Sequence, residues 1–336
     1  MWTAVWMSGT MESGAGTTGT LPGIVLPSTY QKPDALEPPT GTTGTLPGIV
    51  LPVRGLELSK MIPDSQYVHA GEFRTRAICA GDGHDVVLLH GNAGFARDFS
   101  GSLPLLGRRY RGWILERPGH GESERPTVRM TLDDHVRWLH LTLESLSVVR
   151  PYLVAHSWSG ALALAYALSD PGQVAGIALL APLVAPISIN PLDRLLDSPV
   201  AKRWLHMGIV TNTARRQVAT SLRKAFFPDP VPEDYLEEAL LQWTRPGQLA
   251  AIAQDNIAAA RALPALTERY RTLQVPAVIV EGDRDQLLAS DEHGQYLHRA
   301  APHSRHILLA GAGHEIQHTH PAAVMEALQI LERTEW

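Results

Sequence analysis

The stretch Tyr152-Leu-Val-Ala-His-Ser-Trp-Ser-Gly-Ala-Leu-Ala-Leu-Ala-Tyr166 constrains this chain more than any other. An apolar run of strand length meets an alanine-rich run of helix length, with room for only a sharp turn between them. Ser157 stands at the apex, flanked two residues away on either side by the small Ala155 and Ser159. A side chain presented from strained turn backbone needs that spacing, because larger neighbours would collide. The helix after the turn directs its first free N–H groups at the serine, where they stabilise developing negative charge. Small-x-Ser-x-small also arises by chance, and a serine here could simply cap the helix. The rest of the chain decides between these readings.

Residues 1 to about 60 differ in composition from the remainder of the chain. They are rich in Gly, Thr and Pro, and Gly-Thr-Thr-Gly-Thr-Leu-Pro-Gly-Ile-Val-Leu-Pro occurs twice, at Gly16–Pro27 and Gly41–Pro52. Two short copies cannot build a stacked core, and the segment offers little apolar area to bury. Residues 1–60 are expected to be a disordered extension, with Met61 a plausible initiator. From Gln66 strand-like pieces begin: Tyr67–Ala70 and Phe73–Ala80, a hairpin split by Gly71, then the buried-strand run Asp85-Val-Val-Leu-Leu-His-Gly91. The segment Phe95–Tyr110 reads as helical. Gly112–Glu116 reads as a strand ending in the turn-rich Arg117-Pro-Gly-His-Gly-Glu-Ser123. Thr131-Leu-Asp-Asp134 resembles a capping box opening a helix with Val136, Leu139, Leu143 and Leu146 on one face.

After the Ser157 turn and its helix, another strand runs Val174–Leu180. Strand–helix alternation at this interval predicts the α/β class with a mostly parallel sheet and flanking helices. Between about Ala185 and Thr272 the alternation stops. Helices are expected at Leu192–Leu196, Val200–Met207, Thr213–Phe227, Glu233–Trp243 and Pro246–Leu263. This predicts an all-helical insertion over residues 185–272, with an α/β core formed by 61–184 and 273–336. Trp204, Met207, Phe226, Phe227 and Trp243 are expected to pack mainly within the insertion. The α/β pattern resumes with Val275–Gly282 and Asp283-Arg-Asp285, a helix at Asp291–Ala300, a strand at His306–Leu309, then Ala310-Gly-Ala-Gly-His314 and a helix at Pro321–Glu332.

With a net charge of −5, nothing favours nucleic acid or an anionic membrane as partner. One cysteine, Cys79, rules out an intramolecular disulfide framework. No apolar run approaches the ~20 residues of a membrane helix. No basic-then-apolar leader is visible, and a cytoplasmic location is the expectation.

A serine hydroxyl is a poor nucleophile near neutral pH and needs an adjacent base, itself oriented by a third group. In parallel α/β sheets such groups gather beyond the carboxyl ends of the strands. Downstream of Ser157 the strand-end loops offer Asp283, Asp285 and His314, in the order serine, acid, histidine. On these residues and this element order, the chain from Gln66 onward resembles the α/β-hydrolase-fold family with a helical cap. The resemblance implies that Ser157 matches the elbow nucleophile, Asp285 the acid after the penultimate core strand, and His314 the base before the last helix. The backbone N–H groups of Asn92 and Trp158 match the oxyanion donors. Ala155 and Ser159 depart from the two glycines usual at the elbow. The function implied is a serine hydrolase acting on an ester or thioester of a small apolar substrate through an acyl-enzyme, without metal or organic cofactor. A proline-iminopeptidase-like amidase and a carbon–carbon bond hydrolase are the enzymatic alternatives, and a ligand-binding member of the fold is the non-enzymatic one. In the amidase reading, Glu233, Asp234, Glu237 or Glu238 would hold a substrate amine.

His156, beside Ser157, points the other way from the turn and is expected to be a core histidine; His90, His120 and His306 read as packing or loop residues. His314-Glu-Ile-Gln-His318, with His320 nearby, matches the zinc-protease pattern. That pattern needs both histidines on one face of a stable helix. Gly311, Gly313 and Pro321 leave little helix there, and no zinc site is expected.

Overall fold

The period-two alternation of the strands places successive side chains on opposite faces of one sheet. The computed structural model describes residues 65–107, 109–124, 128–201 and 211–333. The extension 1–60 with Met61, and Trp204 and Met207 of the insertion, lie outside the described residues. Among the described residues eight strands form a single sheet: β1 (Ser65–Ala70), β2 (Phe73–Ala80), β3 (His84–Leu89), β4 (Tyr110–Leu115), β5 (Tyr152–His156), β6 (Gly176–Leu180), β7 (Ala277–Gly282) and β8 (Arg305–Leu309). Their order is β1-β2-β4-β3-β5-β6-β7-β8. The β1–β2 hairpin and the β2–β4 pair are antiparallel, and every other pair is parallel.

Both faces are covered, so the central strands are apolar throughout, as buried parallel strands are. Val87, Leu89, Leu153, Ala155, Ile177, Leu179 and Ile279 enter one core, with the helices α2 (Leu132–Ser145) and α3 (Ser159–Ser169). Val86, Leu88, Val154, Ala178, Leu180, Val278 and Val280 enter the other, with the short helix α1 (Leu103–Leu106) and the residues Val324, Ala327, Leu328 and Leu331.

Thr131 and Asp134 form the expected capping box: the Thr131 hydroxyl accepts from the Asp134 N–H, and Asp134 accepts from the Thr131 N–H. The buried face of α2 includes Trp138 and His135 besides Leu139 and Leu143, whereas Val136 and Leu146 are only partly covered. The expected helix over Phe95–Tyr110 does not form. A 3-10 turn at Ala96–Phe99 and the four residues of α1 take its place, and Tyr110 already belongs to β4. Gly107 ends α1, turning the chain at φ +57°.

Between β6 and β7 the chain forms α4 (Pro191–Leu196), α5 (Thr211–Phe226), α6 (Glu233–Trp243) and α7 (Pro246–Thr267). The helix expected to end at Leu263 instead continues through Pro264 to Thr267. Val218, Leu222, Phe226, Tyr235, Ala239, Trp243, Leu249 and Ile252 form a core of their own, which Phe95 joins from the β3 side. Phe95 stacks on Tyr235, 5.8 Å between ring centres. The Tyr235 hydroxyl donates to Asp98, and the Ala225 carbonyl accepts from His314 N–H. These contacts join the helices to the segments that follow β3 and β8. The chain ends in α8 (Gly294–Ala300), α9 (Ile316–Thr319) and α10 (Ala322–Arg333). No helix among the described residues is long and apolar enough to cross a membrane.

Candidate active site

Ser157 adopts φ +52°, a left-handed conformation rare for a residue with a side chain. Three backbone hydrogen bonds hold it there: Ser157 N–H donates to Leu180 O (2.9 Å), and Ser157 O accepts from Gly160 N–H (2.8 Å) and Leu183 N–H (2.9 Å). The elbow thus forms with Ala155 and Ser159 in place of glycines. The tight approaches lie elsewhere. A Cβ on Gly91 would meet His156 Nδ1 at 2.8 Å and Ser157 Cβ at 3.1 Å, and one on Gly160 would meet Pro182 Cβ at 2.6 Å. Ser159 contributes what glycine could not: its hydroxyl donates to His90 O at 2.5 Å, tying α3 to the end of β3.

Strand ends bring the other groups to the elbow. His314 Nε2 lies 2.9 Å from Ser157 Oγ, and His314 Nδ1 lies 2.7 Å from Asp285 Oδ2. The carboxylate partner assigns the proton to Nδ1, which leaves Nε2 to accept the serine proton. Asp285 Oδ1 accepts from the N–H groups of Leu287 (2.7 Å) and Leu288 (2.9 Å), which fixes the carboxylate. Asp283 is not in this chain of bonds: it accepts from Gly311 N–H at the surface.

Burial pushes the His314 imidazole down, but the Asp285 carboxylate, by charge and hydrogen bond, outweighs it and leaves the pKa raised. Burial pushes Asp285 up, and the His314 pairing with the two backbone donors overcomes it, so Asp285 is lowered. The carboxylate thus stabilises the imidazolium that forms when His314 takes up a proton.

His156 is buried as expected, and it also supports the site. Its Nε2–H donates to His314 O at 3.1 Å, and its Nδ1 accepts from Gln317 at 3.2 Å. His90, His120 and His306 are packing residues with polar partners; His306 bonds Glu281 at 2.7 Å. The zinc-protease spacing does not assemble a ligand set. Both ring nitrogens of His314 are engaged, and His318 packs between Phe226 and Tyr235. Among the described residues no group of three or more His, Cys, Asp or Glu side chains is arranged to hold a metal. Of the acids considered for amine recognition, Asp234 and Glu238 are paired with Arg97.

The Asn92 and Trp158 backbone N–H groups have no acceptor among the described residues. The Asn92 side chain donates to Asn256 Oδ1 (2.6 Å) and Ile252 O (3.0 Å) on α7. Asn256 in turn donates to Asp193, whose buried carboxyl is raised to about 6 by desolvation, less an opposing contribution from that hydrogen bond. Sequence reasoning missed Asn256 and Asp193, for which no local motif signals a role.

The loop carrying His314 has no slack. A Cβ on Gly313 would overlap the Phe227 carbonyl oxygen. Gly313→Ala is therefore expected to destabilise the protein by about 1–3 kcal/mol and to lower turnover by displacing His314. A thermal melt with parallel kinetics checks this; unchanged melting and turnover would contradict it.

Comparison with known proteins gives relatives over most of the described chain. A curated relative is a dihydrolipoyllysine-residue acetyltransferase component of an acetoin cleaving system from Pseudomonas putida, 28% identical over 238 residues, covering 70% of this chain and 60% of that protein. The chain thus spans less than two thirds of that relative's length. A 2-hydroxy-6-oxo-6-(2'-aminophenyl)hexa-2,4-dienoic acid hydrolase from Metapseudomonas resinovorans is 30% identical over 103 residues, covering 30% of this chain and 36% of that protein. Among solved structures, the 2-hydroxy-6-oxo-6-phenylhexa-2,4-dienoate hydrolase from a Rhodococcus species superposes with a TM-score of 0.66 at 19% identity, over 81% of this chain and 99% of that one. The family model described as alpha/beta hydrolase fold matches residues 86–321. With that match added to the sheet order and the Ser157 elbow, the chain belongs to the α/β-hydrolase-fold family.

Proposed function

We propose that this protein is a serine hydrolase that cleaves an ester or thioester of a small apolar substrate through an acyl-enzyme. The observation that carries the reading is the hydrogen-bonded chain Asp285–His314–Ser157, with the serine held at positive φ on the β5–α3 turn. In this mechanism His314 Nε2 removes the Ser157 proton as Oγ attacks the carbonyl carbon. Asp285 holds the imidazole in the Nδ1–H tautomer and stabilises its charged form. The oxyanion accepts from the N–H groups of Asn92 and Trp158, each worth about 3–4 kcal/mol of barrier by analogy with measured oxyanion donors. His314 then returns the proton to the leaving group, and water repeats the sequence to release the acid. Residues 185–272 act as a cap over the site, and the enzyme is cytoplasmic and needs no metal or organic cofactor.

The first test is a substrate panel. Turnover of p-nitrophenyl acetate and butyrate, without cleavage of a 2-hydroxy-6-oxohexa-2,4-dienoate, is the expected result. The reverse pattern would replace ester cleavage by carbon–carbon bond cleavage, the second reading, which the 103-residue likeness to the Metapseudomonas hydrolase favours.

The acid limb of the pH profile is a second prediction. His314 must be neutral to act as a base, and its folded pKa is raised. The pH dependence of kcat/KM should therefore rise with pH to half-maximum above about 6.5, the ordinary imidazole value. A half-maximum below that value would contradict the assignment of the Asp285–His314 pair.

A further inference from the structure

The helix α7 carries Gln248, Ile252, Asp255 and Asn256 at i, i+4, i+7 and i+8, which is one face of a helix. In an amphipathic helix a stripe with three polar side chains ordinarily faces water. Here it faces the interior. Asp255 and Gln248 are buried and Asn256 is half-buried.

Asp255 lies at the centre of a buried polar cluster. Its carboxylate accepts from Arg117 Nη1 at 2.5 Å and faces Nε2 of His120 at 2.9 Å and of His135 at 3.2 Å. Gln248 closes the cluster by donating to His120 Nδ1 at 2.9 Å. Arg117 is fully buried, and its Nη2 donates to Gly91 O at 3.0 Å. The same carbonyl accepts from His90 Nδ1–H at 2.8 Å and Gly94 N–H at 3.2 Å. Three donors thus fix one carbonyl.

That carbonyl shares a planar peptide unit with the Asn92 N–H, and in a trans peptide the two groups point in opposite directions. Pinning Gly91 O on the Arg117 side therefore sets the direction of the Asn92 N–H. Trp158 is tied to the same pair. The Arg117 guanidinium lies 4.2 Å over its ring, and its Nε1–H donates to the Asp255 backbone carbonyl at 2.8 Å. From the other side, Ile252 O and Asn256 hold the Asn92 side chain.

Resting on the serine-hydrolase reading above, we propose that Arg117 and Asp255 are positioning residues for the oxyanion hole. Through this pair the α7 face sets both backbone donors, the Asn92 N–H by way of Gly91 and the Trp158 N–H by way of its indole. Stability alone is a poor reason to keep such a pair, since neutral replacement of a whole buried ion pair is often tolerated. Geometry is the better one: a guanidinium's planar fork addresses two acceptors at once, which an ammonium does not reproduce.

The test uses the full chain with Arg117→Lys, which keeps the charge facing Asp255, and the double variant Arg117→Met with Asp255→Asn, which leaves no lone buried charge. Ester turnover is measured beside the affinity for a phenylboronic acid, whose tetrahedral serine adduct presents an oxygen to the oxyanion donors. The expected result is a fall in kcat of about tenfold or more for Arg117→Lys and about 10²-fold for the double variant, with KM within about twofold. Boronate affinity should fall in parallel. If the double variant does not fold, Arg117→Lys decides. Lowered melting with kcat and boronate affinity retained would make the pair merely structural and overturn the inference. A wild type that neither turns over esters nor binds the boronate would instead overturn the Ser157 reading, and this inference with it.

Discussion

Ser157→Ala is expected to lower kcat on p-nitrophenyl acetate by about 10⁶-fold, the scale seen when a serine hydrolase loses its nucleophile. The fold should survive. The backbone bonds that hold the elbow involve only the Ser157 N–H and C=O, and alanine fits where serine does. Among the described residues the hydroxyl's one partner is His314 Nε2, which on its loss can turn to water. A variant that melts like wild type and is inactive locates the chemistry at Oγ. Retention of even a tenth of wild-type kcat would mean that Ser157 is a helix-turn residue and that the hydrolysis has another nucleophile.

Asp285→Asn carries the second large effect. The carboxylate both orients and charges the site: it accepts His314 Nδ1–H on one oxygen and two backbone N–H groups on the other. An asparagine must keep its oxygen toward Leu287 and Leu288, because those groups are donors. Its amide nitrogen then faces His314 Nδ1 and donates to it, so the proton moves to Nε2. With Nε2 protonated, the imidazole cannot accept from Ser157. The expected loss in kcat is about 10⁴-fold, as for the corresponding change in a serine protease. The rise in His314 pKa due to the carboxylate should vanish with it, so the acid limb of any residual activity should move to lower pH. Near-normal turnover, or an unmoved limb, would contradict the role assigned to Asp285.

The parts legible in the sequence are those carried by neighbouring residues. The elbow, the Asp285 position and the His314 loop each come after a strand whose apolar run is recognisable by itself, and the capping box at Thr131 is local. The helix expected over Phe95–Tyr110 fails for a physical reason. Phe95, Phe99, Leu103 and Leu106 are spaced like a helical stripe, but the chain folds as two short turns, the second ended by Gly107, that bury the same side chains. Arg117 and Asp255 were illegible because they are 138 residues apart and come from a loop and a helix packed on it. A polar stripe on α7 reads as solvent-facing until its partners are known. The same holds for the contact of His135 with the Trp158 ring, 4.9 Å between ring centres.

Covalent labelling tests the central claim most directly. Wild-type protein and Ser157→Ala are incubated with a fluorophosphonate, and the site of modification is read by intact mass and peptide mapping. A single adduct on Ser157 in wild type, with none in the variant, is the predicted result. An unmodified Ser157 in folded protein that still hydrolyses esters, or the same adduct on another residue in both proteins, would contradict the account.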